Sequence, residues 1–125
     1  GANFIAATYF ALPGVTLNKI SQDDQPIDGL AKFFANLHQQ GFFLHEVKPN
    51  KIYYADKNFS IANPEEIKVF SKPISYKSRF LNIQSLLNKL ELSQSQRTRF
   101  IKLYATTAKL EDIAAFTHLF PNLLL

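Results

Sequence analysis

The fold of this chain turns on one stretch: Leu37-His38-Gln39-Gln40-Gly41-Phe42-Phe43-Leu44-His45-Glu46-Val47-Lys48-Pro49-Asn50-Lys51-Ile52. Its first residues end an amphipathic pattern, and Gly41 supplies a left-handed stop. Phe42 to Leu44 are apolar, and a polar loop then runs to Lys51 ahead of a Tyr-rich segment. Helix, glycine, polar loop and strand, in that order, is how a rigid scaffold presents a functional loop.

Upstream, Ile27, Leu30, Phe33, Phe34 and Leu37 recur at spacings of three and four, which predicts a helix ending near Gln40. Asp23 and Asp24 are the expected caps, with Pro26 in the first turn. Phe4 to Leu12 suits a buried strand or an extended segment, closed by Pro13-Gly14. Downstream, Lys51 to Ala55 and Phe59 to Ala62 flank a polar turn and read as a small hairpin. Tyr53 and Tyr54 are expected to alternate faces of its first strand. Glu65 to Pro73 has no clear periodicity.

Ser75 caps a predicted helix to about Leu90, striped by Phe80, Ile83, Leu86, Leu87 and Leu90. Ser93 to Gln96 has the form of a capping box, opening a helix that carries Phe100, Ile101, Leu103 and Tyr104. A last helix is expected to begin between Lys109 and Asp112, using Ile113, Phe116 and Leu119 before Pro121 ends it. The predicted class is α+β, predominantly helical, with residues 1–125 forming one domain.

The composition agrees, since apolar residues make up 46% of 125 and charged residues 19%, which is a globular balance. A net charge of +4 suits an anionic partner. The basic residues are nevertheless spread from Lys19 to Lys109, so no nucleic-acid partner is expected. Lys68, Lys72, Lys77 and Arg79 could form a patch for anionic lipid or sugar phosphate, although a solvated face is the plainer reading. His38, His45 and His118 lack metal-ligand spacing, and His38 reads as a helix-end residue that packs or caps locally. No apolar run approaches the roughly 20 residues of a transmembrane helix. The start lacks a basic region ahead of an apolar one, so a signal peptide is not expected. The absence of Met is expected of a piece of a longer protein. The expected location is the cytoplasm, at most peripheral to the inner membrane.

The Leu37 to Lys51 stretch resembles the catalytic loop of protein-kinase-like enzymes, Leu-His-x-x-Gly-x-x-His-Arg-Asp-x-Lys-Pro-x-Asn. Leu37, His38, Gly41, Lys48 and Pro49 match. Leu12-Pro13-Gly14-Val15-Thr16-Leu17 is similar to the hinge of small bacterial members, the lipopolysaccharide core sugar kinases and toluene-tolerance-like proteins. Asn82-Ile83 with Leu86-Leu87, and Phe100 to Tyr104, resemble their later helices. The resemblance implies a C-lobe, with a β-hairpin after the catalytic-loop equivalent and the N-lobe absent.

The resemblance also assigns roles that this sequence alters. Glu46 stands at the catalytic aspartate and Lys48 at the residue near the transferred phosphate. Lys51 takes the place of the metal-binding asparagine, and Asn63 that of the metal-binding aspartate, followed by Pro64-Glu65 in place of Phe-Gly. A lysine repels magnesium, so the loss expected is on the order of a hundredfold or more in rate. Glu46 keeps a carboxylate but moves it by one methylene, which can itself cost on the order of a hundredfold.

The expectation is therefore a pseudokinase-like or non-catalytic domain with catalytic-position residues Glu46 and Lys48 and cofactor-position residues Lys51 and Asn63. ATP with magnesium is admitted only where an N-lobe is supplied. The implied partners are a nucleotide or sugar phosphate, or a protein covering the exposed N-lobe face. The alternative is a small helical interaction module without a nucleotide site. A third reading keeps an active sugar kinase with Glu46 as base.

Overall fold

The computed structural model describes residues 5–7, 14–62 and 67–121. In chain order the elements are β1 (Ile5–Ala7), β2 (Val15–Thr16), α1 (Ile27–Gln39), β3 (Phe42–Leu44), β4 (Ile52–Ala55), β5 (Asn58–Ala62), β6 (Ile67–Val69), α2 (Tyr76–Lys89), α3 (Gln94–Thr107) and α4 (Ile113–Thr117). The class is α+β and predominantly helical, as expected. No described helix is long and apolar enough to cross a membrane.

The apolar stripe of α1 produces the core. Leu30, Phe34 and Leu37 are fully or almost fully buried, and the helix packs along α3, which contributes Phe100, Ile101 and Tyr104. Ile83, Leu86 and Leu87 of α2 enter the same cluster. At a rough 1.5–3 kcal/mol for each large apolar side chain buried, this cluster supplies the main favourable contribution to folding. An exposed bidentate pair, with Arg99 donating to Asp28 at 2.7 and 2.6 Å, links α1 to α3 at its edge. Those bonds hold the Asp28 carboxyl below its ordinary range.

Two small sheets carry the strands. The first has the order β1-β5-β4-β2, with β1 parallel to β5 and the other pairs antiparallel. Its β4–β5 hairpin turns through Asp56 and Lys57, whose φ of 50° and 65° are the two positive values a type I′ turn needs. The second sheet pairs β3 with β6 antiparallel, setting Phe42 opposite Val69, Phe43 opposite Lys68 and Leu44 opposite Ile67. β6 falls in the stretch without periodicity. It forms because the backbone pairs with β3, while Val69 and Phe70 stay exposed.

The ends of α2 and α3 follow local rules. Ser75 accepts from the Ser78 amide, and Ser93 with Gln96 makes the full reciprocal capping box. The start of α1 differs from expectation, because neither Asp23 nor Asp24 caps it. Both lie in a separate 3-10 turn, where Asp24 accepts a bond from Ser21 at 2.8 Å, and Pro26 takes the N-cap position. α4 spans five residues, so Ile113 and Leu119 are exposed and the inward residues are Phe116 and Phe120. Arg79 is buried on α2, so it does not belong to the solvated basic face expected with Lys68, Lys72 and Lys77. Tyr53 and Tyr54 are both half-buried, and the expected strand from Phe4 to Leu12 falls within the described residues only at β1.

Gly41 joins α1 to β3 with φ of +89°. A Cβ there would run into the carbonyl oxygens of Phe70 and Lys72, and the Gly41 carbonyl accepts from the Phe70 amide at 2.9 Å. A substitution therefore meets both a left-handed backbone, costing an L-residue about 1–2 kcal/mol, and fixed main chain that cannot swing aside. Gly41→Ala is expected to lose more than about 2 kcal/mol of stability. Urea unfolding with an unchanged midpoint would show that the α1–β3 corner does not hold β6.

Candidate functional site

The loop after β3 is held from below by a chain of buried polar side chains. Asn82 on α2 spans the backbone of Leu44, with Nδ2 donating to the Leu44 carbonyl at 2.9 Å and Oδ1 accepting from the Leu44 amide at 3.1 Å. Oδ1 also lies 3.1 Å from Nε2 of His38, whose Nδ1 is 2.6 Å from the Tyr104 hydroxyl. That hydroxyl accepts from Arg79 at 3.1 Å.

These partners fix the direction of every bond. Burial pushes the His38 pKa down to about 3, so its ring is neutral. Asn82 Oδ1 can only accept, so Nε2 carries the proton and Nδ1 accepts from the Tyr104 hydroxyl. Tyr104 keeps its proton because burial raises its pKa. Arg79, Tyr104, His38 and Asn82 thus donate one to the next, and the chain ends on the main chain just before His45 and Glu46.

The loop is fixed from above as well. Val47 is buried and its carbonyl accepts from Lys89 at 2.7 Å. Pro49 is buried and opens a short 3-10 turn, Pro49–Lys51, in which the Lys51 amide donates to the Lys48 carbonyl at 2.9 Å. Glu46 therefore projects between two anchored residues, and its carboxylate lies 3.7 Å from the Lys48 ammonium. Glu46, Lys48 and Lys51 line one depression together with Leu44, Ile52, Ile61 and Ala62. Its enclosed volume is about 10 Å³, room for roughly one water.

Three of the four residues assigned roles from the sequence are thus brought together. Asn63, the fourth, lies outside the described residues, next in sequence to Ala62. The polar chain behind the loop went unassigned, and His38 is not the local helix-end residue expected. Its partners are 44 and 66 positions away. The signal was present in the spacing, since His38 follows Phe34 by one turn of the apolar face of α1, and Arg79 precedes Ile83 by the same step on α2.

Among the described residues, no group of three His, Asp or Glu side chains is placed to hold a metal. No protein-family model, curated protein or solved structure matches this chain.

The neutral, buried His38 makes stability depend on pH. The unfolded chain takes up a proton near 6.5 and the folded state only near 3. The stabilisation is therefore complete above pH 6.5 and is lost as pH falls through that window. By pH 5 the loss from this group is about 2 kcal/mol, measurable as a falling urea midpoint from pH 7.5 to 5. His38→Gln should flatten that slope, and an equal slope in the variant would remove His38 as its cause. Asn82→Ala strands the Leu44 amide and carbonyl and one His38 nitrogen, and is expected to cost about 2–4 kcal/mol. Hydrogen exchange should show faster exchange at Leu44, and protection there equal to wild type would contradict the anchoring role.

Proposed function

We propose that the chain is the helical lobe of a kinase-like domain whose phosphoryl-transfer site is degenerate, leaving a cationic loop that receives phosphate without a metal. The convergence of Glu46, Lys48 and Lys51 on one depression, on a loop anchored at Leu44, Val47 and Pro49, carries this reading. The order of α1, loop and β4–β5 hairpin supports it, as does α2 presenting Asn82 to the strand that feeds the loop.

The donors present do not suit magnesium. Among the described residues they comprise one carboxylate, already beside Lys48, and two ammonium groups, whereas magnesium requires oxygen ligands in near-octahedral array. Among the described residues, two lysines against one carboxylate leave an excess of positive charge in the depression, which favours an anionic oxygen. Phosphoryl transfer depends on charge neutralisation at the transferred group, and this loop offers only part of it. The role that follows is phosphate or nucleotide recognition, with no turnover by this chain.

The interaction-module reading also has an observation in its favour. The depression is small, while Val69 at the end of β6 and Phe70 just after it remain exposed at 68% and 50%. A titration separates the two. ATP added to the chain, with and without magnesium, is expected to raise the unfolding midpoint equally in both, and Lys51→Glu should weaken binding roughly tenfold. A ligand at a hundred times its dissociation constant adds about 2.7 kcal/mol. A shift that requires magnesium would overturn the degenerate-site reading, and no shift in either condition would leave the interaction module.

A further inference from the structure

Arg79 is only 2% exposed, yet among the described residues its hydrogen-bond partners are all neutral. Its Nε donates to the Ile74 carbonyl at 2.9 Å, one terminal nitrogen to the Tyr104 hydroxyl at 3.1 Å, and the other to Gln39 Oε1 at 3.0 Å. A guanidinium carries five N–H donors. Two therefore remain, one on each terminal nitrogen. Neither the Lys48–Glu46 pair nor the Arg99–Asp28 pair involves this residue, and no carboxylate contacts it among the described residues. A buried cation is ordinarily matched by an anion, because desolvating an unmatched charge is costly.

A groove of about 530 Å³ opens over Arg79, between the start of α2 and the connection from α3 to α4. Much of its wall is apolar, including Ile74, Tyr76, Leu110 and Ala115. Lys109, Glu111 and Asp112 also line it, all three exposed to solvent. Exposed charges are screened by water and salt, whereas the guanidinium acts from a drier position.

We propose that this groove binds a small organic acid, one carboxylate on an apolar body. The two carboxylate oxygens take the two remaining Arg79 N–H groups, the bidentate match that guanidinium and carboxylate share. The body lies against Tyr76 and Leu110. Glu111 and Asp112, which line the groove and are exposed, oppose ligands of higher negative charge, so a monocarboxylate is selected over phosphate. This site is separate from the Glu46–Lys51 loop and does not depend on the phosphate reading there.

Benzoate is a direct probe, with benzyl alcohol and inorganic phosphate at matched ionic strength as comparisons. Backbone NMR shifts of the chain are followed during titration. Benzoate should bind saturably at Kd on the order of 10 mM or better, shifting amides at Ile74 and Leu110 to Asp112. Benzyl alcohol and phosphate should bind at least tenfold more weakly. Arg79→Lys should weaken benzoate at least tenfold, and Ala115→Phe, which fills the groove and leaves Arg79 in place, should abolish the shifts. The Phe variant decides the matter if the Lys variant does not fold. Equal response to benzyl alcohol or to phosphate, shifts that persist in Ala115→Phe, or no saturation would each overturn the proposal.

Discussion

The donor chain from Arg79 through Tyr104 and His38 to Asn82 is the constraint on which the rest of this structure depends. It joins α2, α3, α1 and β3 in one sequence of bonds. Each polar group in it lies where water cannot replace a lost partner, so the four elements hold one another in a single arrangement. An apolar core alone would allow α2 to slide or turn against α1 at modest cost. The hydrogen bonds admit one register, with Asn82 facing both His38 and the Leu44 backbone.

That register matters because Leu44 is the last residue before the loop. A loop of polar residues on a surface is ordinarily mobile, and charged side chains on it would average over many positions. Here the main chain is tied at Leu44 by Asn82, at Val47 by Lys89 and at Pro49 by burial. Glu46, Lys48 and Lys51 consequently face one depression, even though Glu46 itself is exposed. Among the described residues the ammonium groups there outnumber the carboxylate, and the proposed phosphate reading rests on that balance.

The same polar chain has a second end. Arg79 reaches from the Tyr104 hydroxyl, deep beside Phe116, to Gln39 at the surface. It is the one member that carries a full charge, and its hydrogen-bond partners among the described residues are all neutral. The molecule thus has a cationic feature at each end of one hydrogen-bond chain: a pair of half-buried lysines at the loop and a buried guanidinium beneath the α3–α4 connection. Tyr104, Phe116 and Phe120, with successive ring centroids 5.4 and 5.3 Å apart, form the part of the core that Arg79 reaches through the Tyr104 hydroxyl.

Local sequence determined much of the secondary structure. The spacing of Leu30, Phe34 and Leu37 placed α1, Ser75 and Ser93 placed the starts of α2 and α3, and the polar turn at Asp56 and Lys57 placed the hairpin. Each is a short-range effect, in which a cap, a turn or a periodic face acts within a few residues. The loop residues Glu46, Lys48 and Lys51 were legible by their order in the chain. Tertiary structure alone decided the pairing of β6 with β3, since Val69 and Phe70 show no buried pattern and the strand exists through backbone bonds to a segment more than twenty residues away. It also decided that Asp23 and Asp24 lie in a separate turn and do not cap α1, and that His38 and Arg79 are interior. A polar residue on an apolar face has two outcomes, exposure or burial with partners, and the partners of His38 come from helices whose approach no local spacing specifies.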